Sequence, residues 1–353
     1  MKHPSQPRVA ALDVGGANLK AASPDGPALT RPFELWRDPG RLTYELGRLI
    51  AERLAPFDIL AITMTGELCD CYPTKQEGVV HILESLRSAI PPTCSQAIVL
   101  VWRTDGRLVP IEEAIQDPLP AAAANWLALA QLAASYAPRG PALLVDVGST
   151  TTDIVLLQDG RPLPRGLDDS SRLLSGELVY TGVERTPVAA VVQALPLRDL
   201  LCPVAAEHFA TTRDVHMLLR DLDEAPEDRS TADGRPATRE YARARLARML
   251  CVDASQFDEA AALRAARYVA AAQEGQIERA LRRVSEAAHF QPQRVVVSGA
   301  GEFLARRAAF GAFTENGASS DCLEIISLGE KLGRDASTAA PAVALAMIAR
   351  AGR

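Results

Sequence analysis

Short apolar runs rich in Val, Ile and Leu recur along the chain, and several end in a tight cluster of Asp, Gly, Ser or Thr. In residues 142–157 two such runs flank Asp146-Val147-Gly148-Ser149-Thr150-Thr151-Thr152, which predicts a β-hairpin. Residues 9–20 repeat the plan, with Asp13-Val14-Gly15-Gly16-Ala17-Asn18 between an apolar strand and a return strand bearing Lys20. A third run, Arg294 to Val297, ends in Ser298-Gly299-Ala300-Gly301 before a helical pattern. Ile59 to Met64 reads as a buried strand that empties into Thr65-Gly66-Glu67-Leu68-Cys69-Asp70. Apolar residues at helical spacing predict helices over 42–54, 78–90, 121–136, 238–250, 260–288 and 341–350. Strands are expected at 97–102, 107–109 and 323–326, and from 160 to about 222 the pattern is less regular.

Two Asp-x-Gly hairpins, one opening each half, imply two similar α/β domains with mixed sheets, facing each other across a phosphate-binding cleft. Pro138-Arg139-Gly140-Pro141 marks the boundary. The expected first domain is 1–137, with a C-terminal helix within 338–353 placed to complete it. The second is 138–337, with an insertion at about 160–237.

At 353 residues there is room for two cores. A net charge of −6 does not suggest a nucleic-acid or anionic-membrane surface. No run of about 18 apolar residues is present, and no basic-then-apolar leader follows Met1-Lys2-His3-Pro4. These features lead us to expect a cytoplasmic protein acting on small molecules, without nucleic-acid or membrane partners and with homo-oligomerisation left open. Of the six cysteines, only Cys69 and Cys71 are close, and no second pair completes a zinc set; reduced thiols are expected at these two and at Cys94, Cys202, Cys251 and Cys322.

The hairpin tips hold the inventory for a phosphate chain and its Mg²⁺. Asp13 and Asp146 are the candidate metal carboxylates, acting on metal-bound water. Gly15, Gly16, Asn18, Lys20, Gly148, Ser149, Thr150, Thr151, Ser298 and Gly299 are the candidate phosphate contacts, through N–H, hydroxyl and ammonium groups. Glu67 and Asp70 lie just beyond the carboxyl end of a strand, where catalytic groups often sit; a plain strand-to-helix loop with a capping Asp is the ordinary alternative. His208, among polar neighbours, is either catalytic or structural.

With these three elements in order, the chain resembles the superfamily of sugar kinases, actin and heat-shock ATPases, within it the hydantoinase/oxoprolinase-like branch. The resemblance implies two domains of the actin-like, ribonuclease-H-like type. Residues 64–71, 175–182 with Arg185-Thr186-Pro187, and Thr231-Ala232-Asp233-Gly234 narrow the resemblance. They look like a group tied to tetrahydromethanopterin-linked one-carbon transfer, similar to a synthase of methanofuran biosynthesis. That resemblance covers nearly the whole chain. It implies a transferase that joins an aminomethylfuran diphosphate to the phenol of a γ-glutamyl-tyramine or tyrosine acceptor and releases diphosphate. It also implies substrate contacts at Arg185, Thr186 and Asp233, and catalytic roles among Asp13, Glu67, Asp70, Asp146 and His208. Mg²⁺ is the expected cofactor, and ATP binding is left open.

Asp146 to Thr150 fits the superfamily pattern Asp-x-Gly-x-Thr, but Ala17 stands where the first copy should have Thr. A sugar kinase loses a phosphate ligand there, whereas a diphosphate ester with Lys20 as a point charge tolerates the change. Two other readings stand beside the synthase: an ATP-dependent kinase or amidohydrolase of the same fold, and a non-catalytic actin-like nucleotide-binding module.

Overall fold

The computed structural model describes residues 7–314 and 323–352, so Cys322 and the first six residues lie outside the described residues. In chain order the elements begin with β1 (Val9–Val14), β2 (Asn18–Ala22), β3 (Leu29–Pro32) and α1 (Leu42–Leu49). Next come β4 (Ile59–Met64), α2 (Lys75–Ala89), β5 (Ile98–Trp102), β6 (Leu108–Pro110), α3 (Ile111–Gln116) and α4 (Asn125–Tyr136). The middle of the chain forms β7 (Pro141–Val147), β8 (Thr152–Gln158), β9 (Arg161–Pro162), α5 (Asp169–Ser175), β10 (Leu178–Val179) and α6 (Val188–Val191). Then follow β11 (Ala194–Leu197), β12 (Leu200–Pro203), α7 (Thr212–Leu218), α8 (Arg239–Arg248), α9 (Glu259–Ala287) and β13 (Arg294–Ser298). The last are α10 (Glu302–Thr314), β14 (Glu324–Ser327), α11 (Leu328–Leu332), α12 (Arg334–Thr338) and α13 (Ala340–Ala351).

One mixed sheet has the order β3-β2-β1-β4-β5-β6. β1, β4 and β5 run parallel, while β2, β3 and β6 are antiparallel to their neighbours. Every residue of β1 is buried, as a strand covered on both faces requires. A second sheet has the order β10-β8-β7-β13-β14, with β9 beside β8, and β11 pairs with β12 alone. The contacts divide the chain into two compact units. One comprises Met1–Leu144, Val155–Leu174 and Ile326–Arg353; the other comprises Val145–Ile154 and Ser175–Ile325.

In the first unit, Leu12, Leu46, Leu49, Leu60, Ile62, Ile82 and Leu86 fill the core between the sheet and helices α1 and α2. α13 packs against β1, β2, β4 and α4. In the second, a helical subcore joins α7, α8 and α9 around Val215, Leu246, Phe257, Ala262 and Val269.

Both Asp-x-Gly hairpins form as expected, and several boundaries move for local reasons. α2 starts at Lys75 rather than Gly78, because the Thr74 hydroxyl accepts from the Glu77 amide and caps the helix there. The helix expected from 121 starts at Asn125, since Ala123 adopts φ 47° and breaks the turn before it. Within 160–222 the chain forms strands β9 to β12 and helices α5 to α7, elements too short to show a period. β3 escaped notice because Leu-Thr-Arg-Pro is an edge strand with a terminal proline.

Candidate functional site

The first unit builds its polar centre on the carboxyl ends of β1 and β4. Asp13 lies in register with Lys20 on β2 and with Thr63 on β4. Its carboxylate is 3.7 Å from the Lys20 ammonium and 3.5 Å from the Asn125 amide nitrogen. The Thr63 hydroxyl is buried with no hydrogen-bond partner among the described residues. Gly15 and Gly16 carry the chain past the next strand end: a Cβ on Gly16 would stand 2.8 Å from Cys69 Sγ, and one on Gly66 would stand 3.2 Å from the Val14 carbonyl oxygen.

Glu67 sits in the 3₁₀ turn Gly66–Leu68 that follows β4, and it is 1% exposed. No side chain among the described residues hydrogen-bonds its carboxylate. Burial pushes its pKa up to about 7; the amides of Glu67 and Ala123 and the Lys75 ammonium pull the other way, while Asp169 adds to the rise. Lys75 and Asp169 form an ion pair that ties α5 to α2. One helical turn on, the buried Arg172 guanidinium lies 3.9 Å from the centre of the Trp126 ring. Ala123 to Trp126 thus run between these groups: Ala123 reaches Glu67, Asn125 reaches Asp13 and Trp126 carries Arg172.

The second unit builds on the β7–β8 tip. The Gly148 amide donates to the Thr151 carbonyl (2.9 Å), closing the turn, and the Ser149 and Thr150 hydroxyls are 3.4 Å apart and half-buried. The tip is held from outside by the amides of Val183 to the Gly148 carbonyl (3.0 Å), and of Glu184 (3.1 Å) and Arg185 (2.9 Å) to that of Ser149. Gly182 must be glycine, because a Cβ would lie 2.5 Å from the Thr150 nitrogen. The β13–α10 turn closes from the other side. Gly299, at φ 92°, would place a Cβ 2.3 Å from the Val147 carbonyl oxygen and 2.7 Å from Asp146 Oδ1. The Ser298 hydroxyl beside it is buried and has no partner among the described residues.

The candidate residues therefore fall into two groups. Asp13, Gly15, Gly16, Asn18, Lys20 and Glu67 gather in the first unit, and Asp146, Gly148 to Thr151, Ser298 and Gly299 in the second. Asp70 and His208 are exposed. Arg185 is exposed beside the tip, while the Thr186 hydroxyl bonds to Gly182. Asp233 is engaged by Arg245 (3.0 Å) and Arg248 (2.9 Å), which hold its turn against α8. Lys75, Asp169, Arg172, His216 and Gln273 escaped sequence reasoning, since only distant segments bring them to their partners.

Among the described residues, no group of three or more His, Cys, Asp or Glu side chains is arranged to hold a metal ion. Mg²⁺ keeps several waters and favours substrate phosphates over an all-protein cage. A single carboxylate beside a hydroxyl-bearing hairpin fits that habit. Asp13 has the Lys20 ammonium beside it. Cys71, Cys94, Cys202 and Cys251 are free thiols. No described helix is long and apolar enough to cross a membrane.

The chain belongs to the hydantoinase/oxoprolinase family, whose pattern matches residues 58–351. Its fold is the actin-like ATPase fold: nucleotide-free acetone carboxylase superposes with a TM-score of 0.54 at 9% identity, covering 97% of this chain and 70% of that one. Within the family, the chain is 31% identical, over 96% of both lengths, to the (4-{4-[2-(γ-L-glutamylamino)ethyl]phenoxymethyl}furan-2-yl)methanamine synthase of Methanocaldococcus jannaschii. It is 30% identical to the synthase of the same name from Methanococcus vannielii, over 58% of this chain and 89% of that one.

Proposed function

We propose that this chain is a transferase of methanofuran-type cofactor biosynthesis that forms an aryl–alkyl ether. The observation that carries the reading is the 31% identity over 96% of both lengths to the Methanocaldococcus synthase. That relative's name describes a phenol oxygen joined to a furan methylene. Forming this bond from a furan-methyl diphosphate makes one C–O bond, breaks another, releases diphosphate and frees the phenol proton. The furan oxygen stabilises positive charge at the methylene, so the protein has three tasks: neutralise the leaving group, hold the phenol in line and take its proton.

The leaving diphosphate is assigned to the hairpin tip, with the Ser149, Thr150 and Thr151 groups and Asp146 around it. Mg²⁺, when bound, neutralises diphosphate charge, and Asp146 would hold its water shell. Lys20 and Asn18 are assigned to anionic or polar substrate groups in the first unit. Glu67 is the proposed general base: a phenol titrates near ~10, and a buried carboxyl raised to about 7 is a far better acceptor at neutral pH than an ordinary one. Arg185, Thr186 and Asp233 remain the proposed substrate-side residues, with Arg185 the one exposed at the tip. Asp70 and His208 stay secondary candidates. The division into 1–137 completed by 338–353, and 138–337, is proposed with this assignment, as are a cytoplasmic location and a link to tetrahydromethanopterin-dependent metabolism.

The test is direct. Purified protein with Mg²⁺, the aminomethylfuran diphosphate and γ-glutamyltyramine should yield the ether and an equal amount of diphosphate, read by mass spectrometry. Absence of the ether, together with ATP hydrolysis driven by another acceptor, would replace the synthase with an ATP-dependent enzyme of the same fold.

A further inference from the structure

The second unit encloses a histidine for which the proposed reaction has no use. His216, on α7, is fully buried. Its Nε2 lies 2.9 Å from Gln273 Oε1, and its Nδ1 lies 3.1 Å from Asp221 Oδ2. Gln273, on α9, places its amide nitrogen 2.8 Å from the Gly182 carbonyl oxygen and 2.9 Å from the Thr181 hydroxyl.

These contacts fix where the protons are. A carbonyl only accepts, so the Gln273 nitrogen must face Gly182, which turns its Oε1 towards His216 as an acceptor. Asp221 accepts from both Arg307 nitrogens, at 3.1 and 2.7 Å. Burial would raise its carboxyl, but His216 and Arg307 hold it below the ordinary carboxylate value, so it too only accepts. Both ring nitrogens of His216 face acceptors, and only an imidazolium carries a hydrogen on each.

We propose that His216 is held as an imidazolium and that, through Gln273, it positions the Thr181–Gly182 wall of the β7–β8 tip. The charges around it match this state. Asp221 and, on α9, Glu274 stand against Arg307 on α10, whose guanidinium Glu274 also feels. On α7 itself, Asp214 is taken by Arg245 and Arg213 by Asp228. The Phe303 ring meets the imidazole edge-on at 5.1 Å and excludes water on that side. From Gly182 the effect reaches the ligand end, because Gly182 lies against Ser149 and Thr150, and its neighbour Val183 donates to Gly148. His216 is thus a positioning residue for the anion seat; the second half of the inference rests on reading that tip as the seat of the diphosphate.

The experiment has two arms. Two-dimensional ¹H–¹⁵N spectra of the histidine rings at pH 7, assigned by replacing the other four of the five histidines in turn, should show both nitrogens of His216 protonated. One bare ring nitrogen overturns the proposal, whatever the variants do. In the second arm, calorimetry measures inorganic diphosphate with Mg²⁺ on wild type, His216→Asn, Gln273→Glu and Asp146→Asn. Gln273→Glu can still accept from His216 but cannot donate to Gly182, so it cuts the link at one point. Both His216→Asn and Gln273→Glu should weaken diphosphate by about tenfold, the scale of one lost hydrogen bond, and should raise KM for the furan diphosphate more than they lower kcat. Wild-type affinity in either folded variant, with binding lost in Asp146→Asn, overturns the positioning role. Unchanged binding in Asp146→Asn as well would sink the phosphate reading of the tip instead, leaving the ring spectrum to judge His216. If neither variant folds, the wild-type spectrum decides.

Discussion

Gly78, in the first turn of α2, lies against the backbone of Glu67: a Cβ at position 78 would stand 2.5 Å from the Glu67 carbonyl oxygen and 2.8 Å from its Cα. Close packing of two backbones leaves no flexible side chain to give way. Gly78→Ala should therefore push the 3₁₀ turn off β4 and lower turnover at least tenfold, with a stability loss of about 1–3 kcal/mol. Gly47→Ala is the control, since its Cβ would meet Ala89 at ordinary contact distances of 3.7 and 4.0 Å. Within helix α1 it should stabilise by roughly 0.5–1 kcal/mol without touching activity. Thermal melts beside turnover assays separate the two.

Glu67 makes stability depend on pH in a stated direction. Its folded pKa, about 7, lies above the ordinary 4.5, so the folded protein holds a proton that the unfolded chain releases. Stability from this group is fully present below about pH 4.5, declines through the interval and is gone above about 7, a loss of roughly 3 kcal/mol. Glu67→Gln removes the decline. Denaturant titrations at pH 5 and pH 8 should show the variant gaining on wild type at the higher pH; a constant difference would mean that the carboxyl titrates normally.

Activity should respond to the same group in the opposite sense. The base form is the ionised one, so turnover should rise with pH through about 7. Glu67→Gln should cost about 10²–10⁴ in rate with the natural phenol. With a fluorinated, more acidic phenol the loss should be much smaller. Equal loss with both acceptors, joined by weaker furan-substrate binding, would make Glu67 a counter-ion to the amine and move the base to another residue.

Asp146→Asn should abolish turnover and leave the melting temperature nearly unchanged. The change is isosteric, and Asp146 is half-buried at a tip whose shape is set by backbone contacts from Val183 to Arg185 and from Gly299 to Gly301. Wild-type-like turnover in the folded variant would be the refuting result.

The pair of arginines on α8 should differ sharply. Arg245 is fully buried between Asp214 and Asp233, whereas Arg248 reaches Asp233 from a partly exposed position. Arg245→Met leaves the Asp214 charge buried without its partner and should cost about 3–5 kcal/mol. Arg248→Ala should cost about 1 kcal/mol or less. Urea unfolding of both variants checks the contrast.

What could be read from the sequence follows the range of the forces involved. The hairpins at Asp13 and Asp146 and the strand leading into Glu67 were legible because burial stamps a continuous apolar run on adjacent residues. The Ser298-Gly299 turn was legible because a close backbone approach leaves a glycine. Glu67 itself stood out by its place after a buried strand, but its raised pKa did not, since the burial that causes it comes from α2 and the Ala123 segment. His216 and Gln273 are 57 positions apart, and Asp169 is 94 from Lys75, so no local pattern could join them. Asp233 lies in a Thr-Ala-Asp-Gly turn, and no local pattern shows the two arginines from α8 that engage it.

The last helix has a consequence for how the protein comes into being. α13 covers β1, β2 and β4, all of which are made well before it. During synthesis these strands must wait, with one apolar face uncovered, until α13 has left the ribosome. The first unit cannot mature vectorially; its nascent sheet is a natural client for a chaperone, and a stop codon shortly before Ala340 should yield aggregated protein rather than a folded fragment.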